Sequence, residues 1–356
     1  MLELIVAFLS SFIATLLIIR LKHLHQHFSG DADLIGPQKF HQGVVPRIGG
    51  ISVAIGLFSS IMIDTLKIGL DSTQFIFMVC AIPTFAIGLT EDLTKKVSVR
   101  IRLLFTAISA MCAIYLLNIQ ITHLDIPFID LVFTIPFVGI VFTVIAVTGL
   151  ANAYNIIDGF NGLSSMVGII TLLGITYIAY LFGDVTIIYL SLIMAAAILG
   201  FFIWNYPQGL IFLGDGGAYL IGFWIGTLSI MLCYRHPEIS PWFALLINGY
   251  PILETLFTIY RRKIHQGKNP GMPDGIHFHT LIYRRILHAK HFDSVLSANA
   301  RTAPYLWLLA GLSITPALLW WNSTPILIGA CMLFIASYLW IYTQIVQFKT
   351  PRWMKL

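Results

Sequence analysis

Long apolar runs separated by short polar segments make up most of the chain. A helix needs about 20 apolar residues to cross a bilayer, and eleven runs come close to that length. The predicted spans are about 2–20, 49–66, 73–90, 102–119, 131–150, 162–181, 185–203, 216–234, 241–260, 302–321 and 325–346. The alternating stretch 119–130 is typical of a short hairpin or a loop outside the membrane. The pattern predicts an all-α, polytopic integral membrane protein forming a single domain over 1–356.

Composition agrees with this prediction. The chain is 58% hydrophobic and 10% charged, whereas soluble domains are about 25% charged. The first segment, Leu4–Ile19, lacks a basic start and a small-residue cleavage site, so it reads as a retained helix. The cysteines lie apart in apolar runs without a CxxC pair, so we expect buried thiols rather than disulfides or zinc. They are Cys80, Cys112, Cys233 and Cys331.

Lysine and arginine predict the orientation, because they concentrate in cytoplasmic loops. With eleven spans and the N-terminus outside, 19 of the 21 basic residues fall on the inner side, and only Lys67 and Arg235 fall outside. The C-terminus is then cytoplasmic, with cytoplasmic loops at about 21–48, 91–101, 151–161, 204–215 and 261–301. This distribution accounts for the net charge of +5 without nucleic acid as a partner.

Three polar clusters end apolar runs on the predicted cytoplasmic side: Glu91-Asp92, Asn155 to Gly159, and Gly214 to Gly216. Carboxylates suit Mg²⁺, which proteins hold through one or two of them together with substrate phosphates. Neighbouring glycines let backbone N–H groups approach a phosphate. The clusters therefore favour magnesium-dependent phosphate chemistry. The alternative is structural: Glu91 and Asp92 would balance nearby lysines, and the other two aspartates would cap helices.

The string Asn152-Ala-Tyr-Asn155-Ile-Ile-Asp158-Gly-Phe-Asn161 resembles the central motif of the polyprenyl-phosphate N-acetylhexosamine-1-phosphate transferases. The resemblance runs nearly end to end, through five ordered elements. The other elements are Pro46-Arg47-Ile-Gly49-Gly50, Glu91-Asp92-x-x-Lys95, Phe212-Leu-Gly214-Asp215-Gly216-Gly217, and the last polar region with Glu254, Arg261-Arg262, Pro273-Asp274 and His277-Phe-His279.

The resemblance implies transfer of a sugar 1-phosphate from a UDP-N-acetylated sugar to undecaprenyl phosphate, with release of UMP. It also implies Mg²⁺, with Mn²⁺ as an alternative, and a bacterial inner membrane with the site at its cytoplasmic face. The other expected contacts are membrane lipids, and a homodimer is left open. Under this interpretation Asp215 is the metal ligand, and Asp92, helped by Glu91, positions or deprotonates the lipid phosphate. The remaining expected roles are catalysis by Asp158 and substrate binding by Lys39, Arg47, Asn152, Asn155, Asn161, His277 and His279.

Four positions depart from the family pattern. Glu91 replaces the first of two aspartates, Asn161 a second aspartate, Gly275 an arginine, and Thr280 the last histidine of a His-x-His-His string. The changes at Asn161, Gly275 and Thr280 leave the exact sugar nucleotide open but not the reaction class. The shortened histidine run disfavours the peptidoglycan branch.

Several residues keep two interpretations. Glu254 is either functional, as membrane carboxylates often are, or paired with a cytoplasmic arginine. Arg261 and Arg262 either contact a diphosphate or only set the orientation. The histidines at 23, 25 and 27 are expected to be solvated, because no carboxylate or cysteine completes a metal site. A transporter of lipid-linked sugars is the rival function, but transporters place ionisable groups near the midplane, often in repeated halves, and neither feature is found here.

Overall fold

The computed structural model describes residues 1–31, 44–70, 72–267, 274–287 and 295–349. Apart from one two-residue antiparallel pairing, β1 (Gly30–Asp31) with β2 (Val45–Pro46), the regular structure of these residues is helical. The helices are α1 (Leu2–Arg20), α2 (Lys22–Ser29), α3 (Gly49–Ile68), α4 (Thr73–Thr94), α5 (Val99–Leu117), α6 (Pro127–Phe133), α7 (Pro136–Ile157), α8 (Leu163–Leu181), α9 (Val185–Asn205), α10 (Gly214–Arg235), α11 (Pro241–Ile247), α12 (Gly249–Tyr260), α13 (Phe278–Ile282), α14 (Val295–Leu319) and α15 (Thr324–Val346). Two π-helical turns, Arg261–His265 and Tyr283–Leu287, follow α12 and α13.

Ten of the described helices are long and apolar enough to cross a membrane, and α11 with α12 forms an eleventh, bent candidate. The all-α, multi-span prediction is confirmed. The bend between the two half-helices is 77° and falls at Asn248. The Asn248 side chain donates to the Ala244 carbonyl at 3.0 Å and to Ser229 Oγ at 3.2 Å. Side-chain bonds of this kind make a helix break tolerable inside a membrane, where water cannot satisfy the backbone.

Helix α10 is the centre of the bundle and is buried along almost its whole length. It packs against α3, α4, α7 and α8. Its small residues allow this: a Cβ on Gly222 would lie 2.6 Å from the Ala151 Cα of α7, and a Cβ on Gly88 of α4 would lie 2.7 Å from the Gly216 Cα. Small residues bring helix backbones together in membranes. The central helix therefore holds its N-terminus at a fixed place among three neighbours.

The structure brings all three acidic clusters to one side of the bundle, which we call the basic side after Arg20, Arg47, Arg102 and Arg261. Asp92 of α4 and Asn155 of α7 both bond to the N-terminus of α10 there. The opposite side of the bundle has separate ion pairs, such as Lys67–Glu3 and Arg235–Asp184.

Helix ends differ from the sequence prediction in ways that matter for the site. Helix α4 continues to Thr94, so Glu91 and Asp92 lie on its last turns and not in a loop. Helix α7 continues to Ile157 and places Asn152 and Asn155 on a helix face, which reduces the predicted loop 151–161 to a short turn after Ile157. The stretch 119–130 is a loop followed by the short helix α6, and not a hairpin.

Candidate active site

The Asp92 carboxylate fixes the N-terminus of α10. Its Oδ1 accepts from the backbone N–H of Asp215 and its Oδ2 from that of Gly216, both at 2.8 Å. Arg47 donates to Oδ1 through Nε at 3.3 Å and Nη2 at 3.2 Å. Helix α10 has no side-chain cap of its own, and a carboxylate satisfies its free N–H groups and its dipole. Asp92 is only 1% exposed, so this geometry favours a structural carboxylate over a base facing the lipid phosphate.

Gly214 makes this arrangement possible. Its φ of +76° is in the left-handed region, where glycine meets no steric penalty. A Cβ there would lie 2.1 Å from the Arg47 carbonyl oxygen and 2.6 Å from Asp92 Oδ2. The N–H groups of Gly49 and Gly50 donate to the carbonyls of Phe212 and Leu213, at 3.0 and 2.8 Å. Backbone hydrogen bonds therefore join two motifs whose bonded residues lie 163 positions apart in the sequence.

Asp215, the predicted metal ligand, lies between two arginines. Its Oδ2 pairs with Arg102, while Oδ1 accepts from Asn155 Nδ2 at 3.0 Å and lies 3.6 Å from Arg47 Nη2. The side chain is 15% exposed, so it remains accessible. Asn152 is one helical turn away and accepts from Tyr219 Oη at 3.0 Å. The structure thus brings Arg47, Asn152, Asn155 and Asp215 together as the sequence predicted.

Arg102 is a site residue that the sequence analysis missed. It lies on the first turn of α5, pairs with Asp215 and stands over the ring of Tyr219, 5.7 Å from the centroid. The sequence analysis counted it only as an inner-side charge. The sequence does show a basic residue at the start of an otherwise apolar span, but it does not show which way the side chain points.

Asp158 follows the last residue of α7 and interacts electrostatically with Arg47. Partial burial raises the pKa of its carboxyl to about 7, and the nearby Arg47 guanidinium opposes that shift. Near neutral pH the group is therefore poised between its charged and neutral forms. Gly159 follows and contacts the ring of His279, because a Cβ on this glycine would lie 2.9 Å from His279 Nε2.

The two predicted histidines form a buried stack on α13 and its N-terminal flank. Their ring centroids are 5.1 Å apart, with the planes 16° from parallel. His277 Nδ1 lies 3.0 Å from Glu254 Oε1, so Glu254 pairs with a histidine and not with an arginine. Burial, reinforced by the charge of His277, lowers the pKa of His279 to about 3. His279 is therefore a neutral imidazole against Gly159.

Arg261 and Arg262 are both buried on this side of the site. Arg261 pairs with Asp274, and Arg262 Nη1 lies 4.0 Å from the same carboxylate. Burial opposes ionisation of Asp274, but the bond from Arg261 and the charge of His277 lower its pKa below the usual value. Both arginines therefore interact with a buried carboxylate, so their role is not limited to setting the orientation of the protein in the membrane.

Glu91 bonds within the turn that follows α4, whereas Asn161 bonds to segments that are distant in the sequence. Glu91 Oε2 accepts from the Val97 N–H at 2.7 Å, closing the turn after α4. Asn161 is 3% exposed; its Nδ2 donates to the Pro207 carbonyl at 3.2 Å and its N–H to Asn299 Oδ1 at 3.0 Å. These contacts favour loop anchoring for both residues, and their predicted roles in transfer stay predictions.

Lys39 lies outside the described residues. Of the N-terminal histidines, His23 and His27 are exposed as expected. His25 is half-buried and is held by Ser29 Oγ and by the Ile18 carbonyl, at 2.9 Å from the latter. Its ring therefore closes the turn between α1 and α2.

The donor set fits Mg²⁺ better than a transition metal. Within the described ranges no three His, Cys, Asp or Glu side chains come close enough to hold an ion together. An ion at Asp215 would therefore take its other ligands from phosphate oxygens and water, which is how Mg²⁺ binds. Asp215 offers a hard, accessible oxygen donor, and Arg102 now supplies the positive charge beside it. The four cysteines are free thiols; Cys80 and Cys331 are buried as predicted, whereas Cys112 and Cys233 are only half-buried.

The sequence is similar to those of known proteins. A sequence profile of glycosyl transferase family 4 matches residues 74–233. An undecaprenyl-phosphate alpha-N-acetylglucosaminyl 1-phosphate transferase of Thermotoga maritima is 30% identical over 70% of this chain and 72% of its own length. The enzyme of the same name from Escherichia coli K12 is 30% identical over 69% and 67%. A Bacillus subtilis protein named as a probable undecaprenyl-phosphate N-acetylglucosaminyl 1-phosphate transferase is 29% identical over 78% and 77%.

The chain belongs to glycosyl transferase family 4, and it is a multi-pass membrane transferase. The matched region contains Asp92, Arg102, Asn155, Asp158 and Asp215. Most of the cluster around the N-terminus of α10 therefore lies within the family profile, whereas Arg47 lies before it.

Proposed function

We propose that the protein transfers an N-acetylated sugar 1-phosphate, GlcNAc 1-phosphate in the first instance, from its UDP conjugate to undecaprenyl phosphate and releases UMP. The observation that carries the proposal is the setting of Asp215: an accessible carboxylate beside two arginines and an asparagine, at the membrane edge of the central helix. A water-soluble nucleotide and a membrane-held phosphate can both reach that edge. The names of the relatives support both substrates.

In the reaction, an oxygen of the lipid phosphate attacks the β-phosphorus of the sugar nucleotide. The bond from that phosphorus to the bridging oxygen breaks, and UMP leaves with the bridging oxygen. A phosphate monoester is already largely ionised at neutral pH, since its second pKa is about 6. No strong base is required. This agrees with the structure, in which the Asp92 carboxylate already bonds to Arg47 and to the backbone of α10.

The charge balance supports the need for a divalent cation. Arg47 and Arg102 contribute two positive charges, while Asp92 and Asp215 contribute two negative charges that are already paired with them. Asp158, with a pKa of about 7, adds up to one more negative charge. A diphosphate and a lipid phosphate together bring several further negative charges. Mg²⁺ bound at Asp215 would neutralise the diphosphate and stabilise the leaving phosphate.

The chain's own residues position the two anions. Arg47 and Arg102 provide guanidinium groups beside Asp215 that suit phosphate oxygens. Asn155 and Asp158, on successive turns at the end of α7, face the nucleotide, and the neutral ring of His279 borders it through Gly159. The basic side faces the cytoplasm of a bacterial inner membrane in this proposal, because sugar nucleotides are made there and lysine and arginine favour that side.

The decisive experiment measures UMP release by the purified protein from UDP-GlcNAc, with and without undecaprenyl phosphate and Mg²⁺. Release should require both, should stop with a chelator and should return with added Mg²⁺ or Mn²⁺. Release without the lipid phosphate, or full activity in chelator, would contradict the proposal. A panel of UDP-sugars in the same assay identifies the donor.

A further inference from the structure

Among the residues that the structure describes, Glu254 is the most deeply buried carboxylate outside the cluster around Asp215. It lies on α12 with 1% exposure. Its Oε1 accepts from the Phe278 N–H at 3.2 Å and lies 3.0 Å from His277 Nδ1, while Oε2 accepts from Tyr338 Oη at 2.8 Å. A buried carboxylate without such donors would be strongly unfavourable. Glu254 therefore binds the start of α13 to α12 and α15.

The bond to His277 fixes more than a helix. A carboxylate accepts only, so the proton of His277 is held on Nδ1, and the ring orientation is set with it. His277 is 5% exposed and stacks on His279. The edge of Phe160 closes the other side of His279, with ring centroids 5.5 Å apart. The orientation of His279 is thus determined from Glu254 through His277.

His279 ends this chain of contacts at the turn that carries Asp158. Its Nε2 lies against Gly159, and its buried Nδ1 has no hydrogen-bond partner. A buried imidazole nitrogen without a partner is costly, and here it belongs to a side chain that is 1% exposed. An arriving substrate group is the natural partner for it.

We propose that Glu254 is a positioning residue for the sugar nucleotide: through His277 it holds His279 in place at the turn after α7. This inference rests on the proposed function. Glu254 touches no substrate itself, so it acts on the affinity for the nucleotide, whereas the cluster around Asp215 acts on the reacting phosphates. The site therefore has a nucleotide-holding network that begins inside the membrane-spanning part of α12.

The test measures the affinity of purified, full-length variants for UMP by calorimetry, together with the KM for UDP-GlcNAc and for undecaprenyl phosphate. Glu254→Gln keeps the size of the side chain and removes its charge. We expect UMP to bind about tenfold more weakly, as for loss of a hydrogen bond to a charged group, with the KM for UDP-GlcNAc raised and that for the lipid unchanged. Tyr338→Phe is the matched control: it removes another Glu254 bond but leaves His277, so UMP should bind within about twofold of wild type.

A double variant isolates the route through the histidines. If Glu254 acts through them, Glu254→Gln combined with His279→Ala should bind UMP about as weakly as His279→Ala alone. Effects that multiply, or wild-type affinity in Glu254→Gln, would overturn the proposal. If Glu254→Gln does not fold, Glu254→Asp withdraws the carboxylate from His277 by one methylene, and unchanged UMP affinity in that variant would overturn the proposal as well. Absence of UMP binding and release in the wild-type protein would instead refute the proposed function.

Discussion

Replacement of Asp92 by asparagine separates a structural role from a catalytic one. In the structure this carboxylate accepts two backbone N–H groups of α10 and a two-nitrogen contact from Arg47, at 1% exposure. An asparagine has one acceptor oxygen in place of two and carries an NH₂ group that would face an N–H donor. Asp92→Asn therefore removes the nearer of the two carboxylates beside Arg47, leaving only Asp215 at 3.6 Å, and it leaves one backbone N–H of α10 without its acceptor.

The expected cost follows from these contacts. Breaking a buried charge pair by removing one partner costs about 3–5 kcal/mol. Unfolding entropy of about 2.1 cal/mol/K per residue over 356 residues amounts to about 0.75 kcal/mol/K. The melting temperature should thus fall by about 4–7 °C. Activity at 25 °C should fall about 100-fold, because a shift of about 1 Å in Asp215 and Arg47 is enough for that loss.

The assay is thermal unfolding of the purified variant in detergent, followed by UMP release at a temperature where it is folded. Glu91→Gln is the control on the adjacent residue. It weakens one bond to the Val97 N–H, so it should cost about 1 kcal/mol at most. Lost activity in Asp92→Asn with an unchanged melting temperature would refute the structural reasoning and restore the role of a base.

Three further substitutions test the rest of the site. Asp215→Asn should abolish UMP release while the protein still elutes as a folded species on gel filtration; near-normal turnover would exclude it as the metal ligand. Asp158 has a folded pKa of about 7 against 3.8, so its ionisation opposes folding increasingly from pH 4 to 7 and fully above that. Asp158→Asn should therefore raise the free energy of unfolding more at pH 8 than at pH 5, with a difference of at most about 3 kcal/mol between the two, and a pH-independent effect on the melting temperature would contradict the shift. Gly159→Ala places a methyl group 2.9 Å from His279 Nε2 and should weaken UMP binding; wild-type affinity would show that the two residues are not coupled.

Hydropathy was enough for the architecture, because each span must satisfy its own backbone within the membrane. It could not place the break at Asn248, since that break depends on Ser229 of α10, which lies 19 residues earlier in the sequence. It also misjudged the ends of α4 and α7. Polar residues such as Asp92 and Asn155 look like loop residues in a hydropathy window, yet they continue the helices because α10 supplies their partners.

The motifs predicted most of the residues that the structure brings together, but not the contacts between them. Asp92 and Asp215 were both predicted, whereas the bond from the Asp92 carboxylate to the backbone of Asp215 spans 123 residues and leaves no local trace. Arg102 was missed for the same reason. The structural alternative raised for Asp92 was balance with nearby lysines. In the structure Asp92 instead pairs with Arg47 and caps helix α10.

The two networks of the site explain why the reaction class can be inferred from the sequence, whereas the identity of the sugar cannot. Apart from Arg47, the first network, around Asp215, lies within the region matched by the family profile, residues 74–233. The second network, from Glu254 to His279, lies after it, together with Gly275 and Thr280, two of the departures from the family pattern. The first network is proposed to hold the phosphates and the second to hold the nucleotide, and both parts are common to all UDP-sugars. Their residues can therefore stay the same while the sugar changes. The two networks meet at Gly159. Substitutions in the first network should lower turnover with every UDP-sugar, and substitutions in the second should raise the KM for every UDP-sugar by a similar factor.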